Sequence, residues 1–247
     1  MSVRSRRPMR LEYVRFEAEA GEQEMILGWP DVQPAPGVLA LHGHLGHCFH
    51  MLPWAWSLLR EGYAICVPSM VGYGMSDGEP DFCGPRTCGA VQDALAIFRS
   101  EPALDGRVAV WGISRGAIVM GQLVVRGLPV SAAILQSGVY DLERFYESPE
   151  CVGRLRENIE RETGGASRDA LRGRSAVHVI ESVTARTLVL HGADDSVEQA
   201  EALAARLSER GASCELRVVE DTGHALGFGA IESFVLPFLQ RELPLAR

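Results

Sequence analysis

The sequence predicts an α/β fold with a mostly parallel sheet of eight strands and helices on both of its faces. Short apolar runs alternate along the chain with segments of helical periodicity, and parallel strands require such crossovers. Most of the runs are apolar throughout and bounded by turn residues, as strands buried on both faces are. Because crossovers are right-handed, the helices must cover both faces. The length of 247 residues suits a single domain of this class.

Eight segments have the length and composition of strands. Two segments near the N-terminus alternate loosely between apolar and polar residues, which is typical of antiparallel strands with one exposed face. The other six are the buried parallel strands. The predicted strands are residues 11–18, 24–29, 38–41, 64–67, 108–111, 132–135, 187–190 and 214–219. Residues 31–37 hold two prolines and a glycine and are predicted to form a turn.

Helical periodicity fills most of the intervals between the strands. The predicted helices are residues 52–60, 90–99, 117–126, 199–210 and 231–239. Residues 138–182 break the alternation, because they are rich in charge and contain no strand-like apolar run before Val177. We predict that they form a small helical lid insertion over the C-terminal edge of the sheet, within a single domain of residues 1–247. A surface excursion of solvated helix is the alternative.

The composition disfavours several classes of partner. The formal net charge of -8 argues against nucleic acid, and no apolar stretch is long enough to span a bilayer. Four arginines near the N-terminus are not followed by the apolar run of a signal peptide, so this segment is predicted to be a frayed tail. These arginines are Arg4, Arg6, Arg7 and Arg10. We therefore expect a cytoplasmic protein that binds neither nucleic acid nor a membrane.

The six cysteines are predicted to be reduced. They form no C-x-x-C pair, and no secretion signal accompanies them. Cys66 and Cys214 lie in apolar runs, where a free cysteine behaves as a small buried hydrophobic residue. A disulfide between Cys83 and Cys88 stays open at this point.

Ser114 is the candidate nucleophile. The segment Gly112-Ile113-Ser114-Arg115-Gly116 matches the pattern G-x-S-x-G, and it lies between a predicted strand and a predicted helix, as the motif requires. Such a turn strains the backbone of the serine and exposes its hydroxyl at the edge of the sheet. It also places the backbone N–H of Arg115 at a helix N-terminus, where that group can donate to an oxyanion. The alternative is a chance match in a glycine-rich chain.

A serine hydroxyl needs a base, and the candidate base is His224. This histidine follows the last predicted strand, in a loop on the same edge of the sheet as Ser114. The acid that orients it should follow the preceding strand, where Asp194 and Asp195 stand side by side. The order serine, acid, histidine is the one used with this nucleophile turn. Adjacent side chains in a loop point apart, so only one of the two aspartates can face His224.

Three further segments give the chain a resemblance to the α/β-hydrolase superfamily over nearly its whole length. Residues 42–46 (H-G-H-L-G) resemble the H-G-x-x-G segment of that superfamily, and residues 72–76 (G-Y-G-M-S) resemble its G-x-G-x-S segment. Residues 192–195 (G-A-D-D) resemble its acid loop, G-x-x-D. The resemblance implies an α/β-hydrolase fold with Asp195 as the acid and Asp194 as its neighbour. Val197 is followed by Glu198 where relatives often have a valine-proline pair, so this loop is shorter.

The resemblance also implies an oxyanion hole. Its donors would be the backbone N–H groups of Arg115 and of His44, with Leu45 as the alternative to His44. Within the superfamily the chain is most similar to the catalytic domains of the prolyl-oligopeptidase and dienelactone-hydrolase types. It has no residues to build the propeller of the oligopeptidases, and Arg115 stands where they usually have an aromatic residue. Both departures argue against a peptidase.

A zinc-binding interpretation competes for part of the same region. His42, His44 and His47 have the spacing H-x-H-x-x-H of the metallo-β-lactamase-type hydrolases. However, Gly46 stands where that motif has an aspartate, and the oxyanion loop already accounts for the glycines. We therefore predict no metal and no organic cofactor.

The predicted activity is hydrolysis of a small-molecule acyl substrate through an acyl-enzyme on Ser114. A carboxylic ester is the first choice, followed by a thioester or an amide in a small peptide. A non-catalytic ligand-binding protein of the same fold is the alternative from another class, but the retained serine, histidine and aspartate favour an enzyme. Specificity is expected to lie in residues 137–182 and 72–87.

Two interpretations concern individual side chains near the site. Arg115 either binds an acidic group of the substrate or is a helix-surface arginine, and the second is preferred. The aromatic residues Phe49, Trp54 and Trp56 either line an acyl pocket or belong to the core, and the core is preferred because aromatic residues at helical spacing are more often buried.

Overall fold

The computed structural model describes residues 5, 6 and 8–245 of the chain. Its eight-stranded sheet is parallel except at one edge, where two antiparallel strands are added. The strands of the chain are β1 Ser5–Arg6, β2 Arg10–Ala18, β3 Gly21–Trp29, β4 Val32–Gln33, β5 Ala35–Leu41, β6 Ala64–Pro68, β7 Leu104–Ile113, β8 Ala132–Gln136, β9 Arg186–Gly192 and β10 Cys214–Val219. The order across the sheet is β10-β9-β8-β7-β5-β6-β3-β2. The predicted fold class and all eight predicted strands are confirmed.

Two predictions near the N-terminus are wrong. Residues 31–37 are not a simple turn, because β4 and the first residues of β5 lie there. The strand starts early because Ala35 pairs with Leu104, at the beginning of β7. The predicted frayed tail falls partly outside the described residues, at Arg4 and Arg7. Within the described part, β1 pairs with β4, and Arg10 is the first residue of β2.

Eight α-helices cross between the strands of the described chain or follow the last of them. They are α1 Cys48–Glu61, α2 Pro85–Ser100, α3 Arg115–Val125, α4 Leu142–Glu147, α5 Gly153–Thr163, α6 Arg168–Arg172, α7 Val197–Glu209 and α8 Leu236–Glu242. A 3-10 turn covers Ala176–His178, and a π-helical turn, Ile231–Val235, leads into α8. Each of the five predicted helices overlaps an observed one. None of these helices combines the length and the apolar character needed to cross a bilayer.

The sheet separates two hydrophobic clusters. Along β5, Val38 and Ala40 point into one cluster and Leu39 and Leu41 into the other, since successive side chains of a strand alternate between faces. Helices α2, α3 and α7 supply the cluster around Leu39, and α1 and α8 supply the cluster around Val38. Both faces of the central strands are therefore buried, which explains why their sequences are apolar throughout.

Residues 138–182 lie between β8 and β9 and contain α4, α5 and α6. Their apolar side chains join the core on the side of α2, α3 and α7. These buried side chains include Tyr140, Leu142, Phe145, Ile159 and Leu171. The segment is thus attached to the domain by its own hydrophobic contacts.

All six cysteines are free, including Cys83 and Cys88. Cys66 is buried, as predicted. Cys214 is partly exposed, because it begins β10 at the edge of the sheet, where only β9 pairs with it.

Candidate active site

The turn that carries Ser114 depends on backbone groups that approach each other closely. Ser114 connects β7 to α3 with φ 55° and ψ -116°, a conformation that non-glycine residues rarely adopt. A Cβ atom on Gly112 would overlap the carbonyl oxygen of Gly116. A Cβ atom on Gly116 would overlap the carbonyl oxygen of Leu41 and lie 2.7 Å from that of His42. Glycine is therefore required at both ends of the turn.

The structure brings Ser114, His224 and Asp195 together. His224 Nε2 lies 2.9 Å from Ser114 Oγ, and His224 Nδ1 lies 2.8 Å from Asp195 Oδ2. The two loops that carry the acid and the histidine touch at Gly192, where a Cβ atom would overlap the carbonyl oxygen of Thr222. These distances define a continuous chain of hydrogen bonds from the hydroxyl to the carboxylate.

Asp195, and not its neighbour Asp194, supplies the carboxylate of this chain. The backbone N–H of Asp194 donates to the carbonyl oxygen of Thr222 at 3.0 Å, which ties the acid loop to the histidine loop. The side chain of Asp194 lines the cavity above Ser114 without a hydrogen bond to His224. The two aspartates thus have separate positions, as expected for adjacent residues in a loop.

Asp195 and His224 each stabilise the charged form of the other. Burial alone would raise the pKa of Asp195, but its interactions with His191 and His224 outweigh burial and hold that pKa well below its usual range. The hydrogen bond to Asp195, together with its negative charge, raises the pKa of His224 above that of a free imidazole, although burial opposes this. Asp195 stays ionised and favours the imidazolium form that arises when His224 accepts a proton.

Two backbone segments flank Ser114, the turn of residues 43–46 and the start of α3 at Arg115. A Cβ atom built on Gly43 would be 3.1 Å from Ser114 Cβ, so the turn of residues 43–46 passes directly beside the serine. The N–H of Gly46 closes that turn by donating to the carbonyl oxygen of Gly43 at 3.1 Å. No backbone hydrogen bond among residues 8–245 uses the N–H of His44 or of Arg115. Neither N–H group is therefore occupied by a backbone acceptor in the described part of the chain.

His42 packs against the turn of residues 43–46. Its Nε2 atom accepts a hydrogen bond from the backbone N–H of Met70 at 2.9 Å, and the residue is 2% exposed. Burial lowers the pKa of His42 to about 4, so the ring is neutral at physiological pH and can act as this acceptor. With both ring nitrogens close to backbone groups, His42 is not free to bind a metal ion.

The preferred interpretation of Arg115 as a helix-surface arginine is wrong. Its side chain is 5% exposed, and its Nη1 atom donates to Glu162 Oε2 and to the hydroxyl of Tyr73, both at 2.6 Å. The guanidinium also lies over the ring of Phe82, 4.3 Å from its centroid. Because Glu162 compensates the positive charge, Arg115 is a link between the nucleophile turn and α5 and not a free anion receptor.

A cavity of about 840 Å³ opens in front of Ser114. Its walls are mainly apolar and come from the sheet edge, from residues 138–155 and from the loop after β10. The apolar residues among them include Phe82, Ile118, Val139, Leu142, Phe145, Leu155 and Leu226. The segments expected to govern specificity therefore do contribute to the cavity, through Phe82 and through residues 137–155.

The prediction that Phe49, Trp54 and Trp56 belong to the core is wrong for Phe49 and Trp56, whereas Trp54 is partly buried against the cluster around Val38. Trp54 lines the cavity and stacks on Phe228, with ring centroids 4.2 Å apart. Phe49 and Trp56 are 51% and 38% exposed. They follow the turn of residues 43–46 on a helix whose buried face is formed by other residues, such as Met51 and Leu58.

Two contacts of the site were not predicted. His191 is 1% exposed, and its Nε2 atom lies 3.1 Å from Asp195 Oδ2, although its orientation does not form a regular hydrogen bond. Its position directly before Gly192 in the acid loop was the available signal. Glu162 pairs with Arg115 from a distant helix, and nothing in the sequence indicates that pair.

Two family models match the chain, each over more than half of its length. The model of the prolyl oligopeptidase family matches residues 91–240, a range that includes Ser114, Asp195 and His224. The chain belongs to this family. The model of the X-Pro dipeptidyl-peptidase (S15) family matches residues 9–158, which overlap the first range around the nucleophile turn. The prolyl oligopeptidase match thus identifies a serine hydrolase of the α/β-hydrolase superfamily.

Solved structures with the same fold include peptidases and esterases. An acylaminoacyl peptidase from Pyrococcus horikoshii superposes with a TM-score of 0.78 at 17% identity, over 98% of this chain and 43% of its own. An esterase from Pyrobaculum calidifontis superposes with a TM-score of 0.78 at 19% identity, over 96% and 86%. An acetyl xylan esterase from Paenibacillus sp. R4 gives 0.74 at 18%, over 95% and 84%.

The present member of the prolyl oligopeptidase family spans less than half of the acylaminoacyl peptidase that it matches and most of each esterase. At these identities, the likeness shows the fold.

Proposed function

We propose that this chain is a serine esterase that cleaves carboxylic esters with an apolar acyl group. One observation carries the proposal: the hydrogen-bonded chain from Ser114 Oγ through His224 to Asp195, whose three residues line the cavity. In this proposal Ser114 is the nucleophile, His224 is the general base and acid, and Asp195 orients the imidazole ring.

The proposed reaction has two acyl-transfer steps. Ser114 Oγ attacks the carbonyl carbon of the ester while His224 Nε2 takes the hydroxyl proton. The tetrahedral oxyanion accepts hydrogen bonds from the N–H groups of His44 and Arg115, and His224 then gives the proton to the departing alcohol. Water, deprotonated by His224, attacks the acyl-enzyme and releases the carboxylic acid. Each oxyanion donor contributes about 3–4 kcal/mol of transition-state stabilisation in enzymes of this type. These steps use no metal and no organic cofactor.

The character of the cavity supports an apolar acyl group. Its walls include Ile118, Leu142 and Phe145, which line the same cavity as Ser114. The guanidinium of Arg115 is paired with Glu162, so it does not favour a substrate with a free carboxylate. Burial of an uncharged acyl chain against these walls stabilises the complex by about 25 cal/mol per Å² of apolar surface removed from water.

Peptide hydrolysis is the second candidate. The family match and the structural likeness to an acylaminoacyl peptidase favour it. The carboxylates of Glu150 and Asp194 also line the cavity, where they can attract a cationic group of a peptide. Thioesters stand next to esters, because the same nucleophile serves both leaving groups.

A substrate panel with two serine variants tests the proposal. Acyl esters of increasing chain length, matching thioesters and aminoacyl amides are compared on the wild-type protein, on Ser114→Ala and on Ser137→Ala. We expect ester hydrolysis to dominate, and Ser114→Ala to lower kcat by about 10⁶-fold. Ser137 is a buried serine that lines the same cavity, so Ser137→Ala serves as the matched control.

Covalent labelling separates an enzyme from a ligand-binding protein of the same fold. A fluorophosphonate should label the wild-type protein and Ser137→Ala, and leave Ser114→Ala unlabelled. Labelling that survives in Ser114→Ala would exclude Ser114 as the nucleophile. If amides are cleaved faster than esters, the peptidase candidate replaces the esterase.

A further inference from the structure

A second cluster of reactive side chains lies outside the cavity in front of Ser114. It consists of Glu24 in β3, His47 directly before α1 and Cys48 at the first position of α1. One potential ligand atom from each residue, a carboxylate oxygen, a ring nitrogen and Sγ, lies within 4.8 Å of the other two. None of the three residues lines the cavity. The mechanism described above therefore leaves this cluster unexplained.

The carboxylate of Glu24 is a buried charge. Glu24 is 1% exposed, and Ser69 Oγ and the backbone N–H of Met75 donate to its Oε1 atom at 2.6 and 3.0 Å. The hydroxyl of Tyr13 donates to its Oε2 atom at 2.8 Å. These are all neutral donors, and no arginine forms an ion pair with Glu24 among the described residues. A buried charge without a charged partner is costly, so the surroundings of Glu24 favour a cation.

His47 and Cys48 offer the other two potential ligand atoms, and neither atom has a strong hydrogen-bond partner among the described residues. The Nδ1 atom of His47 is buried and has no hydrogen-bond partner among residues 8–245. The thiol of Cys48 is free and fully buried. Nitrogen, sulfur and carboxylate oxygen are the ligands of zinc sites in proteins. A divalent cation here would compensate the charge of Glu24, give His47 Nδ1 a partner and take Cys48 as a thiolate, whose proton is released on binding.

We infer that Glu24, His47 and Cys48 form a binding site for a zinc-like transition-metal ion. Zinc takes four ligands, and the fourth position falls to water or to His50, whose exposed ring lies 4.0 Å from that of His47. This site differs from the H-x-H-x-x-H pattern in the sequence. Of the three histidines in that pattern, only His47 belongs to the inferred metal site.

The place of this site in the fold assigns it a structural role. His47 follows directly on the turn of residues 43–46, which passes beside Ser114, and Glu24 lies on the neighbouring part of the sheet. A bound ion would fasten the start of α1 to β3 and thereby fix the end of that turn. This inference does not depend on the identity of the substrate, or on hydrolysis itself.

Metal titration of the chelator-treated protein tests the site directly. Cobalt(II) is titrated into the wild-type protein while the ultraviolet absorption is recorded, because a cobalt–thiolate bond gives a charge-transfer band that nitrogen and oxygen ligands do not. We expect one equivalent of cobalt(II) to bind and to give such a band, and we expect zinc to displace the cobalt. Saturating zinc should also raise Tm, since a ligand that binds only the folded state stabilises it.

Conservative variants assign the ligands. Cys48→Ser should abolish the band, and Cys48→Ser and Glu24→Gln should each weaken zinc binding by more than about 100-fold, because loss of even an outer-shell partner costs 10–100-fold. Cys88→Ser removes another free thiol and should leave the band unchanged. Absence of the band in the wild-type protein, or its persistence in Cys48→Ser, overturns the inference. The wild-type titration decides this even if a variant fails to fold.

Discussion

Ser114 and His224 meet at one hydrogen bond, but they belong to regions that are built differently. The turn of residues 112–116 is enclosed by backbone atoms, and both of its glycines are pressed against neighbouring carbonyl groups. The loop that carries His224 is open: a Cβ atom on Gly227 or Gly229 would meet nothing within 4 Å, and the side chain of His224 is 55% exposed. Close backbone packing positions Ser114, whereas a few side-chain contacts position His224.

Those few contacts can be named. Asp195 accepts the Nδ1 hydrogen bond of His224, and Phe228, four residues further on, stacks on Trp54. The backbone contact at Gly192 brings the two loops together. A change in the turn of residues 112–116 should therefore act on the stability of the whole domain. A change in the contacts of His224 should act on catalysis and leave the fold intact.

Among changes to the contacts of His224, replacing Asp195 should give the largest effect on catalysis. Asp195→Asn removes the charge that orients and stabilises the His224 imidazolium, and we expect kcat to fall by about 10⁴-fold. Asp194→Asn is the matched control, because its side chain has no hydrogen bond to His224, and it should retain most of the activity. Steady-state kinetics on an acyl ester and far-ultraviolet circular dichroism separate catalysis from folding. Equal losses in the two variants would contradict the assignment of Asp195.

Replacing a glycine should distinguish the two regions by their stability. Gly116→Ala forces a methyl group into the carbonyl oxygen of Leu41, so we expect the free energy of unfolding to fall by about 4 kcal/mol or more, or the protein not to fold. Gly229→Ala places a methyl group in open space and should change this free energy by less than about 0.5 kcal/mol. Denaturant unfolding measures both values. If Gly116→Ala is tolerated as well as Gly229→Ala, the turn is not enclosed as described.

The same contrast explains what the sequence predicts well. The strand before Ser114, the glycines around it and the helix after it are adjacent in the chain, so local pattern is sufficient to predict the turn. The central strands are predicted because burial on both faces makes their sequences apolar throughout. The choice of Asp195 over Asp194 rests on the resemblance to the superfamily, since local composition treats the two residues alike.

The incorrect predictions share a physical cause. Arg115 is buried because Glu162 reaches it from α5, and an ion pair between residues so far apart leaves no periodicity to recognise. Phe49 and Trp56 have helical spacing, but the buried face of α1 is taken by other side chains. The cluster of Glu24, His47 and Cys48, which was not predicted at all, joins β3 to α1, and two further strands, β4 and β5, lie between them in the chain. Tertiary contacts decide all of these positions.

The pH dependence of kcat/KM should show the smallest of the three effects. It also reports most directly on the interaction between His224 and Asp195. His224 must be neutral to accept the proton of Ser114, and the carboxylate raises its pKa above that of a free imidazole, which is about 6.5. The acid limb of kcat/KM should therefore lie above about pH 6.5 and fall about tenfold per pH unit below it. Asp195 itself titrates far below this range, because its pKa is lowered, and adds no limb near neutral pH.

Removing the carboxylate of Asp195 should reverse the direction in which the pKa of His224 is shifted. In Asp195→Asn the negative charge that favours the imidazolium is gone, while the burial of His224 remains and disfavours it. The acid limb should consequently move to lower pH in this variant, even though the rate is low at every pH. The rate of fluorophosphonate labelling of Ser114, measured against pH in both proteins, gives the two limbs without depending on the choice of substrate. If the acid limb lies at the same pH in both proteins, contacts other than Asp195 determine the protonation of His224. The open loop would then be positioned by its backbone.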